Sequence, residues 1–475
     1  MKFKAITSIL FFTIFTSAVF AQKDKRPNIL IILSDDQGWG DVGFNGGKDI
    51  PTKNLDKLAN EGVIFSQGYS SHPYCSPSRA GLMSGRYQQR FGHENNPENT
   101  KQGEDTVIGL PVNELMISEL LQKNNYETCA IGKWHLGNAK KFLPNNRGFD
   151  DWFGFSGGGF NYWGKTNPKN RELGVMRDGK LVPEDQLTYL TDDFSNEAVK
   201  YIDGYSKSEK PFFMYLAYNA PHGPIQATKE YTDMVKHIEF GDRAAYAAMV
   251  AGMDVGIGKV IAKLKETGEY ENTLIFFYSD NGGHSNGASS APYRGHKGMM
   301  FEGGIREPFV ISWPKKIKGN RVYDKPIIAL DIFPTILAAA GIEKPATKEL
   351  DGVDLLPILT KKNKSLKERT LYWRYAGGEG YAVRDKNYKL IYSYYKKDIF
   401  LFDMEKDELE NNNLASQFPD VVNRLKAKYE IWSKDNIAPL WEDAHLQNCD
   451  KQEAIRQAFI DKAISGDKNK KNLKH

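Results

Sequence analysis

The sequence predicts an α/β fold: a large, mostly parallel central sheet flanked by helices, plus a smaller C-terminal α+β domain with a short antiparallel sheet. Three observations predict it. Between Asn28 and about Ala340, apolar runs alternate with segments of helical periodicity. Those runs are too short for helices and show no polar alternation, which marks strands buried on both faces. Beyond residue 360 the pattern changes to short alternating segments, which marks antiparallel strands with one wet face.

The elements follow in chain order. Met1-Lys2-Phe3-Lys4 is a basic head, Ala5 to Phe20 is apolar apart from Thr and Ser, and Ala21 is small. This is the layout of a cleaved secretory signal over 1–21, and it is short for a bilayer span. No second such segment is expected, so the mature chain is placed outside the cytoplasm without membrane insertion, periplasmic or secreted and of bacterial type. A main domain is expected over 22–360, and a C-terminal subdomain over 361–475 ending in a lysine-rich tail. Strands are expected at Ile29–Leu33, Cys129–Ile131, Phe212–Ala217 and Leu274–Tyr278. Helices are expected at Asn54–Glu61, Glu114–Lys123, Phe194–Tyr205, Arg243–Thr267 and Leu330–Ala340. In the C-terminal subdomain, Leu371–Tyr375 and Tyr388–Tyr392 are strands, and Phe418–Asn436 is a helix packed on them.

Composition excludes some functions. Lys and Arg number 64 against 60 Asp and Glu, a net charge of +4. So balanced a chain gives no sign of a nucleic-acid partner. Three cysteines in an exported chain of 475 residues make no disulfide scaffold. Cys129 lies in an apolar run and fits a small buried residue, and whether it pairs with Cys449 stays open. Cys75 is different, because Ser and Pro flank it.

Each apolar run is followed at once by residues capable of chemistry. Ser34-Asp35-Asp36-Gln37-Gly38 follows the first, and Gly132-Lys133-Trp134-His135 the shortest. Asn219-Ala220-Pro221-His222 and Ser279-Asp280-Asn281-Gly282-Gly283-His284 follow the others. Ligands of open α/β sheets bind beyond the carboxyl ends of the strands, so these groups should converge on one pocket. Asp35, Asp36, Asp280 and Asn281 form an all-oxygen set. Crowded carboxylates repel unless a cation lies between them, and oxygen donors suit Ca²⁺, or less well Mg²⁺, and not zinc. Either acidic pair alone would read as a loop cap; both together favour the metal. Lys297 lies in the glycine-bracketed loop Arg294-Gly295-His296-Lys297-Gly298. Arg79, Lys133 and Lys297 could neutralise a tetrahedral oxyanion. Pro77 suits a first helical turn, which places Cys75 near a helix N-terminus, where the dipole favours anions.

Cys75-Ser76-Pro77-Ser78-Arg79, with Leu82, Ser84-Gly85 and Arg86, resembles the first signature of the type I sulfatases of the alkaline-phosphatase superfamily. Tyr126 to Gly137 resembles the second, with Asn125 where the family usually has Gly. Asn tolerates left-handed backbone angles, so the turn can survive. The resemblance runs from about Asn28 to Leu356, and more weakly beyond. It implies that formylglycine-generating machinery oxidises Cys75 to formylglycine, whose hydrate is the nucleophile. One hydroxyl would attack sulfur, the alcohol would leave, and deprotonation of the second hydroxyl would expel sulfate. It also implies that Asp35, Asp36, Asp280, Asn281 and the modified Cys75 bind Ca²⁺, and that Arg79 and Lys133 hold the hydrate. His135 would be the base of the elimination. His222 and Lys297 would contact the ester and protonate the leaving oxygen, and Ser156 would touch sulfate.

Aromatic and polar residues mix in Phe91-Gly92-His93-Glu94-Asn95, Phe160-Asn161-Tyr162-Trp163 and Tyr293-Arg294-Gly295-His296. Such loops suit sugar rings and hydroxyls, so a sulfated carbohydrate is the expected substrate, with His93, Glu94, Arg294 and His296 as further contacts. The nearest alternative is a phosphate- or phosphonate-ester hydrolase of the same superfamily. Asn281 directly after Asp280, where a zinc-dependent relative would carry His, favours a single Ca²⁺. A non-catalytic glycan-binding protein is the alternative from a different class.

Overall fold

A computed structural model describes residues 24–97, 103–166, 174–239, 241–361, 364–393 and 397–442. The expected signal at 1–21, Cys449 and the lysine-rich tail lie outside them. The strands, in chain order, are β1 (Asn28–Ser34), β2 (Val63–Phe65), β3 (Gly68–Tyr69), β4 (Glu127–Lys133), β5 (Asp151–Phe155), β6 (Met176–Arg177), β7 (Lys180–Leu181) and β8 (Phe212–Ala217). They continue with β9 (Thr273–Ser279), β10 (Phe309–Ser312), β11 (Arg321–Tyr323), β12 (Ile327–Ile328), β13 (Leu371–Tyr375), β14 (Gly380–Asp385), β15 (Tyr388–Tyr392) and β16 (Ile399–Asp403). The helices are α1 (Lys53–Asn60), α2 (Cys75–Ser84), α3 (Ile117–Lys123), α4 (Leu190–Tyr205), α5 (Lys229–Met234), α6 (Asp242–Glu266), α7 (Glu302–Ile305), α8 (Ile332–Ala340), α9 (Leu356–Thr360) and α10 (Pro419–Ser433).

A ten-stranded sheet runs in the order β11-β2-β10-β9-β1-β8-β4-β5-β6-β7. Its centre, β9-β1-β8-β4-β5, is parallel throughout. The edges are antiparallel where β10 meets β9 and where β6 meets β5. Successive side chains of a strand face opposite ways, and β1 shows the consequence. Ile29, Ile31 and Leu33 join a core with Leu82, Ile117 and Phe333 on one face. Leu30 and Ile32 join a second core with Leu55, Phe194 and Val250 on the other. Burial on both sides explains why the strand is continuously apolar.

Several expected boundaries shift. The three-residue run at Cys129 belongs to a seven-residue strand, so Lys133 is the last residue of β4 rather than a loop residue. The helix expected from Glu114 starts at Ile117, because Glu114 is spent on Arg86 and Lys348 while Glu119 caps the Met116 N–H at 2.7 Å. The helix expected from Phe194 starts at Leu190, one turn earlier. Asn125 has φ 65°, the left-handed turn that its side chain tolerates. By length and composition α6 could cross a membrane, against the expectation of no second such segment, yet most of it is buried inside the fold.

The C-terminal strands form the antiparallel sheet β13-β14-β15-β16. The single wet face predicted for it is not found: every residue of β14 is buried. Val422, Leu425, Tyr429 and Trp432 of α10 share a third core with Trp373, Val383 and Leu390, and Tyr69, Met300, Phe301 and Ile305 from the main domain join it. Both faces of this sheet are therefore covered, one side by sequence-distant parts of the chain.

Candidate active site

The carboxyl ends of β1, β4, β8 and β9 meet the N-terminus of α2. Adjacent side chains on a strand diverge, so Asp35 and Asp36 can both turn inward only if the backbone reverses. Asp36 does this at φ 63°. Asp35 and Asp36 follow β1, and Asp280 and Asn281 follow β9; all four are buried. Cys75 is the first residue of α2, with Tyr74 as its cap residue. Cys75 Sγ lies 3.9 Å from Asp36 Oδ1 and 3.1 Å from Lys297 Nζ.

Cations pair with each acid. Lys133 Nζ donates to Asp35 Oδ2 at 2.6 Å, and Lys297 Nζ lies 2.7 Å from Asp36 Oδ1. Arg79 donates to Asp280 Oδ2 from Nε at 2.9 Å and to the Lys133 carbonyl at 3.0 Å. Burial would raise Asp36, but Lys297, His222 and Lys133 outweigh it and hold that carboxyl below the usual range. Burial and the Asp35 charge push Asp280 up to about 6, against the pull of Arg79 and Lys133. Burial pushes the Cys75 thiol up to about 12, even with Lys133 and Lys297 beside it.

The histidines complete the wall. His222 Nδ1 donates to the Gly223 carbonyl at 2.6 Å, which turns Nε2 toward Asp36 Oδ2 at 3.6 Å. Burial, opposed in part by Asp36, pushes His222 down to about 3. His135 lies two residues past the end of β4 at φ 60°, and this turn brings it in. Burial, with Lys133 and Arg79 adding to it, holds His135 well below its ordinary value. The His135 N–H donates to the Ser156 carbonyl at 3.1 Å, while Ser156 Oγ is buried and makes no hydrogen bond among the described residues.

The remaining expected contacts divide. Arg294 and His296 are half-buried on the Lys297 loop. Arg294 stacks over Phe301 at 4.1 Å and donates to the Glu410 carbonyl at 2.8 Å. His93 and Glu94, by contrast, are fully buried. His93 Nε2 meets Ser76 Oγ at 2.6 Å, and that hydroxyl donates to the His135 carbonyl at 2.5 Å. Glu94 takes two bonds from Arg374, at 3.1 and 2.6 Å. His93 therefore braces Ser76 beside Cys75, and Glu94 braces Arg374 and the Gly377 N–H, both fully buried in this arrangement. Sequence reasoning missed Tyr215, whose hydroxyl lies 3.4 Å from Arg79 Nη1, and Glu307, a fully buried acid bonded to Ser70 Oγ at 3.2 Å. Neither stands next to a recognisable motif.

Burial also pushes His72 and His93 down to about 3, against an ordinary value of 6.5. The unfolded chain then binds more protons than the fold between those values. Stability contributed by the neutral rings is present above pH 6.5 and is lost as pH falls toward about 3. The urea midpoint should fall across that window, and His93→Gln should flatten the slope. An unchanged slope would contradict neutral burial of His93.

The donor set fits a hard divalent cation. Asp35 Oδ1 and Asn281 Oδ1 are buried oxygens that accept no hydrogen bond among the described residues. Asp36 and Asp280 supply further oxygens beside them. One oxygen each from Asp35 and Asp36, with Cys75 Sγ and a His222 nitrogen, lie within 4.8 Å of one another. Crowded buried acids, lysine and arginine cations and a helix N-terminus all face one point, which is the arrangement of an ester hydrolase for a tetrahedral oxyanion.

Comparison with known proteins names the class more narrowly. Residues 27–342 match the family model described as Sulfatase, and 295–435 match the model described as N-sulphoglucosamine sulphohydrolase, C-terminal. The chain belongs to the sulfatase family. It is 35% identical over 384 residues to N-acetylgalactosamine-6-sulfatase of Mus musculus, covering 77% of this chain and 72% of that protein. It is 30% identical to the uncharacterized sulfatase YdeN of Escherichia coli (strain K12), covering 93% of this chain and 91% of that one. The crystal structure of Ps i-CgsB superposes with a TM-score of 0.83 at 37% identity, over 91% of this chain and 99% of that one. A crystal structure of the same protein is in complex with k-i-k-neocarrahexaose.

Proposed function

We propose that this sulfatase removes sulfate from a sulfated carbohydrate, using formylglycine made from Cys75 and a Ca²⁺ held by Asp35, Asp36, Asp280, Asn281 and the modified Cys75. The observation that carries the reading is the state of Cys75. Its Sγ lies at the N-terminus of α2, 3.1 Å from Lys297 Nζ and 3.9 Å from Asp36 Oδ1, and burial pushes the thiol up, so sulfur is a poor fit among cations and hard oxygen donors. Oxidation to an aldehyde whose hydrate attacks through oxygen resolves that conflict. The hydrate supplies the attacking hydroxyl and, once the alcohol has left, a route to expel sulfate by reforming the aldehyde. A hard cation bound to the oxygen set would draw charge from the sulfate ester and relieve repulsion among the acids.

The chain's own residues do the rest. Arg79 and Lys133 hold the hydrate from the α2 and β4 sides. His135, kept neutral by burial, is free to take the proton of the second hydroxyl in the elimination. His222 donates from Nδ1 to Gly223, so its Nε2 contacts the ester as a donor when the ring is protonated, and the Lys297 ammonium is the charged group that hands a proton to the leaving oxygen. Ser156, Arg294 and His296 stay assigned to substrate. Export through the signal at 1–21 to a periplasm is part of the same reading, as is the machinery that modifies Cys75. The names of the relatives support a sugar sulfate as substrate.

Turnover of defined sulfated oligosaccharides and of matched sulfate and phosphate esters tests the proposal. Released sulfate from an oligosaccharide, with phosphate esters slower, is the expected result. Faster hydrolysis of phosphate esters would overturn it.

A further inference from the structure

We infer that Lys389 and Glu410, from the C-terminal subdomain, position Lys297 against Cys75 and Asp36 by clamping Glu302, the first residue of α7. The inference rests on the role proposed above for Lys297. Lys389 is on β15 and Glu410 follows β16, far from Glu302 in sequence, and all three are fully buried. Lys389 Nζ bridges the two acids, 2.7 Å from Glu302 Oε1 and 2.8 Å from Glu410 Oε1. Glu410 Oε2 accepts the Glu302 N–H at 2.7 Å, and Tyr69 donates to Glu302 Oε2 at 2.7 Å. Arg306 Nη1 reaches the same oxygen at 3.2 Å. Glu410 has φ 59°, a left-handed conformation that a non-glycine residue keeps only where its surroundings over-determine it.

The clamp reaches Lys297 through backbone contact. A Cβ on Gly303 would overlap the Gly295 carbonyl, and one on Gly304 would overlap the carbonyls of Met299 and His296. The Gly303 N–H donates to the Arg294 carbonyl at 2.7 Å, and Gly282 donates to the Gly304 carbonyl at 3.1 Å. So α7 lies without side-chain padding against both the Lys297 loop and the chain just after Asn281. Displacing Glu302 must displace one or both. Burial and the Glu302 charge push Glu410 up to about 7, with Lys389 opposing them. Lys389, Arg384 and Arg306 outweigh burial and hold Glu302 at about 2. Glu302 takes the Lys389, Arg306 and Tyr69 donors on its two carboxyl oxygens, and Glu410 fixes its backbone N–H. An ion pair this deep gives little net stability but fixes geometry, which suits a positioning role.

The test is a double-mutant cycle on the full chain in excess Ca²⁺, with an activated aryl sulfate whose good leaving group keeps weak variants measurable. Lys389→Met should lower kcat by about 10- to 100-fold, as sub-ångström to ångström misplacement of a reacting group does. In a Lys297→Ala background the same substitution should add less than about twofold, because coupled residues are not additive. Glu410→Gln keeps an acceptor for the Glu302 N–H and should show the same coupling with a smaller loss. It carries the test where Lys389→Met does not fold, as judged by thermal unfolding. Equal losses in both backgrounds, or foldable variants with wild-type kcat, would overturn the clamp. Full activity of Lys297→Ala alone would instead sink the role proposed for Lys297.

Discussion

Replacing Cys75 with Ala should abolish turnover of sulfate esters, by at least about 10⁴-fold in kcat, as removal of a covalent nucleophile does. The fold should survive. Cys75 is small, buried and at the first position of α2, and alanine keeps the helix while removing one sulfur, a cost of about 1 kcal/mol. Released sulfate and urea unfolding check the two halves. Retained turnover would show that neither the thiol nor its oxidised form is the nucleophile. Loss of folding would show that Cys75 has a structural part that its small contact surface does not suggest.

Arg79→Met should have the largest effect on stability. The guanidinium is fully buried: Nε donates to Asp280 Oδ2 at 2.9 Å, Nη2 forms an ion pair with the same oxygen at 2.8 Å, and Nη1 holds the Lys133 carbonyl. Its removal leaves Asp280 buried beside Asp35 and Asp36, and stranding one partner of a buried pair costs about 3–5 kcal/mol. A cation bound to the same acids would replace part of the lost charge. The destabilisation should therefore be larger in chelator than in excess Ca²⁺, both measured by urea unfolding. A loss independent of Ca²⁺ would place the ion elsewhere, and a loss below about 1 kcal/mol would show that the Asp280 carboxyl is protonated in the fold.

Much of the site was legible because its parts are local. Asp35-Asp36 and Asp280-Asn281 each follow an unbroken apolar run, and that pattern alone places them at strand ends on one side of a parallel sheet. Cys75 to Arg79 is a single helical turn, so its chemistry and its geometry share one segment. His93 and Glu94 show the limit. Their polar neighbours suggested a binding loop, but their partners are Ser76 and Arg374, and whether a polar residue faces ligand or protein depends on those partners. The C-terminal sheet shows the same limit. Its alternation suggested a wet face, which Tyr69, Met300 and Phe301 cover from the main domain.

The sequence by itself placed the central strands β1, β4, β8 and β9, the helix carrying Cys75 and the acids at the strand ends, since each is set by periodicity or by residues within a few positions of one another, while the class of chemistry came from the resemblance of the Cys75 and Lys133 segments to the sulfatase signatures. The tertiary structure alone decided which basic group meets which acid: Lys133 with Asp35, Lys297 with Asp36, Arg79 with Asp280. It also decided that Lys389 and Glu410 reach Glu302. Charge pairing acts over a few ångströms of space and leaves no mark on sequence spacing, so only the folded chain shows it.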